Sequence, residues 1–235
     1  KLSLRRMNRF QYHNAVTDLF DLRRAVFSLP ERVARVYADY FDPAKGKLPE
    51  TIGVGNRPLG KSQLIEPRLA GVAPFPQDLR AEHGFDTQAD HLSLSPLLME
   101  SFLSLGQSIV QSRDFTKKNV GMWSEVFEAP KKDSGPEKNV IETRLTKFLT
   151  MAFRRPVETE TLRRYVSFVT AKRADGVTFE EAMKAAAAAA IASPRFLYIY
   201  NADSQAETEE ALDPYSFASR LSFFLWGSIP DGELL

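Results

Sequence analysis

Apolar residues recur at helical spacing through most of the chain, and one stretch, residues 178–200, shows the strongest helical pattern. It contains six consecutive alanines at positions 185–190, and alanine has the highest helix propensity of all residues. Thr178 followed three residues later by Glu181 is typical of a capping box at a helix start. Because alanine adds no bulk, neighbouring helices can approach closely. We therefore expect this helix in the middle of a bundle.

Further helices are predicted where a capping residue precedes an apolar stripe. The predicted helix starts are Asn8 with Gln11, Ser28 with Glu31, Ser95 with Pro96, and Asp213 with Pro214. The predicted core faces are Tyr12, Ala15, Val16 and Leu19; Val33, Val36, Tyr37 and Tyr40; Leu98, Phe102, Leu105 and Ile109; Ile141, Leu145, Phe148, Leu149 and Ala152; Leu162, Tyr165, Val166 and Val169; and Phe217, Leu221, Phe224 and Leu225. Ser193-Pro194 predicts the end of the alanine-rich helix, since the residue before proline avoids the helical region.

The periodicity stops at two long polar or glycine- and proline-rich stretches, and alternation typical of strands is seen only weakly at residues 196–200. The predicted fold class is all-α, with helical bundles and a long irregular arm, as a segment of a larger multi-domain protein. The predicted units are a first helical module at 1–110 with its arm at 42–76, a linker at 111–139, a helical linking module at 140–203, and the start of a further helical module at 211–235.

Composition narrows the class of protein. The 31 Lys and Arg nearly balance the 30 Asp and Glu, so overall charge gives no argument for nucleic acid or an anionic membrane. Cysteine is absent, which excludes disulfides, thiolate metal sites and covalent haem attachment within this chain. No uncharged apolar run reaches the roughly 18 residues that cross a bilayer. The chain begins without Met on a helical pattern and stops as another helix starts, so we expect a longer protein.

Candidate ligands for a metal or haem lie in two places. Asp86, Asp90 and His91 offer oxygen and imidazole ligands, although the spacing fits no EF-hand and Asp before a turn commonly bonds its own backbone. His83 and His91 lie in a polar stretch, where solvated side chains are the alternative. His13 is a candidate axial haem ligand, with a surface or partly buried histidine as the alternative. We predict that this chain by itself binds no haem.

Arginine and aromatic clusters are the other candidates. Arg154-Arg155 suits a carboxylate or phosphate, and the favoured alternative is that both neutralise carbonyls at a helix C-terminus. Arg220 needs a carboxylate partner if buried. Three aromatic residues, Tyr215, Phe223 and Trp226, could form a platform on which a sugar ring stacks. The alternative is that they are core residues, because their spacing is helical. No Ser–His–Asp order or phosphate loop is convincing, and the glycines at 53, 55 and 60 follow no strand.

Three sets of motifs resemble modules catalogued as planctomycete-type domains of unknown function. The first set is LRRMNRFQY at 4–12 and DLF at 18–20, followed by FPQD at 75–78, GFD at 84–86 and LSLSP at 92–96. The second is FRRPV at 153–157 with ASPRFLY at 192–198. The third is LD at 212–213 with ASRLSFFLW at 218–226 and PD at 230–231, which resembles the start of a larger module.

The sequence departs from the family pattern at three points. Residues 24–73 form a longer insertion than expected, and the spacer at 111–139 is short where relatives often insert a carbohydrate-binding-like domain. Thr87 replaces a common asparagine, which weakens a polar site beside Asp86.

The resemblance implies a multi-domain protein that is periplasmic or otherwise exported and often carries a c-type haem in a neighbouring domain. We therefore predict a structural and interaction segment of a cytochrome-associated protein, which contacts other domains of the same protein or a redox or cytochrome partner. Association with a polysaccharide is a further expectation. Binding of nucleic acid is not expected. No catalytic, cofactor-binding or metal-binding residue is assigned. The alternative function is part of an oxidoreductase or polysaccharide-acting enzyme whose active site lies outside this segment.

Overall fold

The computed structural model describes residues 5–27, 67–76, 95–131, 135–199 and 213–235. Helices dominate these residues, which confirms the prediction of an all-α fold. In chain order the elements are β1 (Arg5–Arg6), α1 (Arg9–Phe20), α2 (Pro96–Gln111), α3 (Trp123–Val126), α4 (Glu137–Phe153), α5 (Thr159–Ala174), α6 (Phe179–Ile191), α7 (Pro194–Leu197), β2 (Tyr198–Ile199) and α8 (Pro214–Leu225).

The alanine-rich helix α6 lies at the centre of the bundle, as predicted. It packs against α2, α4 and α5, and most of its side chains are buried. The hydroxyl of Thr178 accepts a hydrogen bond from the Glu181 amide at 3.2 Å, which satisfies one free donor of the first turn. Helix α2 comes so close that a Cβ on Gly106 would lie 2.7 Å from the Ala188 carbonyl oxygen. Small residues on both helices therefore permit this contact.

Helix α1 begins with the capping box that the sequence predicts. The Asn8 side chain accepts from the Gln11 amide at 2.8 Å, and the Gln11 side chain accepts from the Asn8 amide at 3.3 Å. The predicted face of α1 is buried. Ser95 likewise caps α2, with Pro96 at its first position.

The ring of Tyr12 lies in an aromatic cluster where α1, α2 and α7 meet. It contacts Phe75, Phe102 and Phe196 at centroid distances of 5.6–5.8 Å. Its hydroxyl is fully buried and has no hydrogen-bond partner among the described residues. Burial therefore raises the pKa of Tyr12 far above its ordinary value. This region of the core is closed to solvent.

Part of the predicted linker at 111–139 contributes to the core. Five of its apolar residues are buried; these are Phe115, Val120, Trp123, Val126 and Phe127. These residues belong to the same apolar cluster as α4 and α6. The division of the chain into modules stays a prediction.

The exit from α6 differs in detail from the prediction. The helix ends at Ile191, and Ser193-Pro194 starts the single turn of α7 instead of only ending α6. Ser193 caps this turn by accepting from the Arg195 amide. The chain then forms β2, which pairs antiparallel with β1. The weak strand pattern at 196–200 therefore corresponds to a strand of two residues.

Helix α8 turns its predicted core face outward. Phe217, Phe224 and Leu225 are 56%, 84% and 58% exposed. The buried side instead carries Phe223, together with small residues; these are Ser216, Ala218, Ser219 and Ser222. The helix itself is where the periodicity predicts it, but the orientation expected from apolar spacing is wrong.

Several predictions concern residues outside the described part of the chain. These are the helix starting at Ser28, residues 42–66 of the arm, and the candidate ligands His83, Asp86, Asp90 and His91. Within the described ranges, no helix combines the length and apolarity of a membrane span. No group of three potential metal ligands occurs there either.

Candidate functional site

A cleft of about 510 Å³ opens between α1 and the C-terminal end of α8. We call it the α1–α8 cleft. Its lining is His13, Asn14, Thr17, Asp18, Leu22, Arg23, Arg24, Ala25, Trp226 and Ser228. Most of these residues are polar, and both signs of charge are present. The volume lies within the range of small-molecule sites in proteins.

Hydrogen bonds hold the end of α8 against α1 on one side of the cleft. The side-chain amide nitrogen of Asn14 donates to the carbonyl oxygens of Trp226 at 3.5 Å and Gly227 at 3.3 Å. Gly227 has a φ of +66°, which favours glycine, and an added Cβ would lie 2.9 Å from the Phe10 ring. The backbone therefore turns here in a way that only glycine fits well.

Two serines extend this attachment. The Ser228 hydroxyl donates to the Asp18 carboxylate, and the Ser222 hydroxyl donates to the Ser228 carbonyl oxygen. Ser222 and Ser228 are both buried. One oxygen of Asp18 is thereby used in the fold, and the side chain still borders the cleft.

The opposite wall is the turn that follows α1. Asp21 ends the helix in the left-handed conformation with a φ of +49°. The Arg23 amide then donates to the Asn119 carbonyl at 2.9 Å, and the Ala25 amide donates to the Pro67 carbonyl at 2.9 Å. These backbone bonds fix residues 22–25 against the rest of the fold.

The two arginines of this wall differ in their contacts. The Arg24 guanidinium lies 3.7 Å from the Asp114 carboxylate. The Arg23 side chain is exposed and has no hydrogen-bond or ion-pair partner among the described residues. Trp226, across the cleft, is 46% exposed. The cleft therefore combines an available cation, a carboxylate and an accessible aromatic surface.

His13, the candidate haem ligand, lies in the wall of this cleft. Only 3% of its surface is exposed, and its ring packs edge-on against Phe27 at 5.4 Å. His13 is therefore buried, and not at the surface or partly buried position named as the alternative from sequence.

Arg154 lies far from solvent and binds backbone oxygens. Its guanidinium donates to the carbonyls of Phe196 at 3.0 Å and Tyr198 at 2.7 Å, and also to those of Ala152 and Arg195. It lies 5.6 Å from the centre of the Phe223 ring. For Arg154 this agrees with the favoured alternative, in which both arginines neutralise carbonyls at a helix C-terminus. For Arg155 that alternative is wrong, because its guanidinium binds a carboxylate. Arg154 joins the end of α4 to α7, β2 and α8.

Arg155 contacts the start of α8. Its guanidinium lies 3.4 Å from the Asp213 carboxylate and 3.1 Å from the Ser216 hydroxyl. Burial opposes ionisation of Asp213, but hydrogen bonds from Ser216 and the charge of Arg155 outweigh it and hold the pKa of Asp213 below its ordinary value. The carboxylate that Arg155 binds is thus an internal helix cap, because Asp213 also accepts from the first turn of α8.

The aromatic platform suggested by the sequence does not form as a set of three rings. Phe223 is buried, Tyr215 is half-buried, and Trp226 is exposed at the cleft. Arg220 is half-buried, and its Nε atom has no hydrogen-bond partner among the described residues. A carboxylate for Arg220 is therefore not found in that part of the chain.

No pattern in the sequence indicated that the residues of the cleft belong together. Asn14, Thr17 and Asp18 have the spacing of one helix turn, but residues 226–228 join them only through the tertiary fold. The one useful signal was Trp226, because it was already a candidate for ligand stacking.

Comparison with known families gives matches along three stretches of the chain. Residues 63–114 match the family described as "Protein of unknown function (DUF1587)", PSD3. Residues 141–201 match "Protein of unknown function (DUF1595)", PSD5, and residues 212–235 match "Protein of unknown function (DUF1592)", PSD4. Comparisons with curated proteins and with solved structures give no match.

The matches include most of the motifs that carried the resemblance. The PSD3 match contains the motifs at 75–96 but not those at 4–20. The PSD5 and PSD4 matches contain the second and third sets. Three stretches of the chain are therefore similar to planctomycete-type domains of unknown function, PSD3, PSD5 and PSD4, in that order.

Proposed function

We propose that the chain is an interaction segment of an exported, cytochrome-associated multi-domain protein, in which α8 docks a partner domain. The observation that carries this proposal is the apolar stripe on the exposed side of α8, formed by Phe217, Phe224 and Leu225. The resemblance to planctomycete-type domains supplies the exported and cytochrome-associated setting. The docking role rests on the stripe itself.

The spacing of the stripe suits recognition by another protein surface. Phe217 and Phe224 are separated by seven residues, so they lie on the same side of the helix about two turns apart. Leu221 lies half-buried between them. Helices that dock into apolar grooves use anchors at this spacing. Burying each such side chain typically contributes about 1.5–3 kcal/mol.

The charge along the stripe favours an apolar occupant. Phe217, Phe224 and Leu225 carry no charge, and Arg220 is the nearest charged residue in the sequence of the helix. A strongly charged partner would gain little from this surface, because burying charges without partners is costly. We therefore infer that the occupant is an apolar groove between helices, in another domain of the same protein or in a redox partner.

Photo-crosslinking in the native host tests the docking role. A photoreactive amino acid replaces Phe224 in one variant and Phe168 in the control. Phe168 is 41% exposed on α5, and the Lys172 ammonium lies 5.1 Å from its ring centre. We expect adducts from position 224 to a helical domain of the same polypeptide or to a haem-containing subunit, well above those from position 168.

Two outcomes would contradict the proposal. Equal labelling from positions 224 and 168 would show that the stripe has no dedicated partner. Adducts only to a second copy of this chain would make α8 a self-association surface. The cytochrome association has a separate test, since the purified assembly should show the visible absorption bands of c-type haem. An assembly without these bands would overturn that part alone.

A further inference from the structure

The α1–α8 cleft contains binding groups that the fold leaves available. The side chains of Asn14 and Thr17 are used internally, because Asn14 donates to Trp226 and Gly227 while the Thr17 hydroxyl donates to the His13 carbonyl. Three other side chains in the lining are exposed to the cleft. These are Asp18, Arg23 and Trp226. Their chemistry determines which ligand would fit.

We propose that this cleft binds an acidic saccharide unit, a pyranose ring that carries a carboxylate. The C–H face of a sugar ring packs on an aromatic ring, which Trp226 offers with 46% of its surface exposed. A sugar carboxylate pairs with a guanidinium through charge-assisted hydrogen bonds, and Arg23 has no other partner among the described residues. Sugar hydroxyls donate to a carboxylate, which Asp18 provides in the same lining.

The three groups come from separate segments of the chain, which the fold brings together in one lining. Trp226 comes from the end of α8, while Arg23 comes from the turn after α1. Both walls are fixed, the first by the Asn14 bonds to the backbone and the second by the Arg23 amide bond to Asn119. A volume of about 510 Å³ accommodates a small ligand and remains open to solvent. An open cleft also allows a longer saccharide to extend beyond it.

Other ligand classes use these groups less well. A polyphosphate would bring several negative charges to one available guanidinium and would face the Asp18 carboxylate. An apolar ligand would remove Arg23 and Asp18 from water without giving either a partner. A free amino acid matches both charges, but it has no ring face for Trp226.

Calorimetric titration of the full chain tests the proposal with four small probes. D-Galacturonate and D-glucuronate are compared with D-galactose and D-glucose, which have the same rings without the carboxylate. We expect saturable binding of at least one uronate, at least 10-fold tighter than its neutral counterpart, since a hydrogen bond to a charged group has about that effect. Trigalacturonate tests whether the ligand is part of a polymer or a free sugar acid. Tighter binding of trigalacturonate than of D-galacturonate would indicate further subsites beyond the cleft and hence a polymer.

Matched variants assign the binding to this cleft. Arg23→Gln should reduce uronate affinity by about 10-fold or more and leave the response to the neutral sugar unchanged. Trp226→Ala should abolish binding of both. Arg163→Gln and Phe168→Ala, which change an exposed arginine and an exposed aromatic residue of α5, should bind like the unaltered chain. Arg23 is exposed, so its substitution tests binding in a folded protein even if Trp226→Ala unfolds.

Several results would overturn the assignment. They are equal affinity for uronates and neutral hexoses, no saturable heat with any of the four sugars, or unchanged uronate binding by Arg23→Gln. Displacement of the uronate by equimolar inorganic phosphate or glycine would show a general anion or amino acid site. Uronate binding in the cleft does not depend on the α8 stripe. If the chain binds no uronate, the crosslinking test of the docking role is therefore unaffected.

Discussion

Helix α6 buries mainly small side chains, whereas helix α8 exposes several of its large apolar side chains. Helix α6 buries alanines, among them Ala186, Ala187 and Ala190. Helix α8 buries serines and exposes Phe217 and Phe224. Both helices begin at a capping residue that the sequence predicts. The contrast teaches that neighbours, and not only side-chain hydrophobicity, decide which face of a helix is buried.

The neighbours of each helix explain this contrast. Helix α6 is packed by α2, α4 and α5, and the approach of Gly106 to Ala188 requires small residues. Two of the three buried serines of α8 have recorded hydrogen-bond partners: Ser216 accepts from Arg155, and Ser222 donates to the Ser228 carbonyl. Buried polar groups are tolerated when they are satisfied in this way. The apolar face formed by Phe217, Phe224 and Leu225 remains exposed.

The largest expected effect comes from comparing two adjacent phenylalanines of α8. Phe223 is 4% exposed and lies beneath the Arg154 guanidinium, whereas Phe224 is 84% exposed. Phe223→Ala should lower the free energy of unfolding by about 3–5 kcal/mol, the usual cost of deleting a buried aromatic ring. Phe224→Ala should change it by less than about 0.5 kcal/mol. Chemical denaturation of both variants measures the difference.

Equal destabilisation by the two substitutions would show that the exposed stripe is packed within this chain. The docking role of α8 would then lose its basis, because no free apolar face would remain.

The next effect concerns Arg154, which connects the two regions. It donates to carbonyls beyond α6 and lies against Phe223 of α8. Arg154→Leu should destabilise the fold by about 3 kcal/mol or more, since several buried carbonyls lose a charged donor. Arg154→Lys should recover only part of this loss, because an ammonium cannot reproduce the fork of a guanidinium. Thermal and chemical denaturation give the ranking.

The backbone of Arg154 provides a control for this substitution. Its φ of +58° is a conformation that favours glycine. Arg154→Gly therefore relieves backbone strain and also removes the guanidinium. If Arg154→Gly were as stable as the unaltered chain, the hydrogen bonds of Arg154 would contribute little, and its structural role would be wrong.

Helix positions were predictable because their signals are local. The Asn8–Gln11 capping box, the Ser95-Pro96 start and the alanine run each depend on residues within a few positions, and the structure confirms all three. The all-α class followed from the same periodicity. Local capping and propensity thus sufficed for these helices, whereas the short helices α3 and α7 were not predicted.

Orientation and the cleft were not predictable, because both depend on contacts distant in sequence. Asn14 bonds to Trp226 and Gly227 across more than 200 positions, and Arg154 bonds to Phe196 and Tyr198 across about 40. No local pattern indicates such partners. The periodicity of α8 also gave the wrong buried face, since the hydrogen bonds that satisfy its serines come from other elements.

A smaller effect is expected from enlarging alanines in α6. Ala187 is 1% exposed, whereas Ala185 on the same helix is half-buried. Ala187→Leu should lower the free energy of unfolding by about 1–3 kcal/mol through overpacking. Ala185→Leu should lower the free energy of unfolding clearly less than Ala187→Leu does. The change in helix propensity is nearly the same in both variants, because both replace alanine by leucine. If both variants melted like the unaltered chain, α6 would lie at the surface and the comparison with α8 would fail.

The smallest expected effect concerns the cap that starts α8. The pKa of Asp213 in the folded chain is lower than its ordinary value of about 3.9, so its contribution to stability is present above that value and is lost as pH falls through the folded-state pKa. Asp213→Ala should cost about 1 kcal/mol at neutral pH through the lost cap. Asp213→Asn should cost less at neutral pH than Asp213→Ala, because asparagine caps as well as aspartate, although the Arg155 ion pair is lost.

The free energies of unfolding of the unaltered chain and Asp213→Asn, measured from pH 6 to about pH 2.5, should converge at the acid end. A constant difference over this range would show that the charge of Asp213 does not stabilise α8, and that the Arg155 contact is incidental.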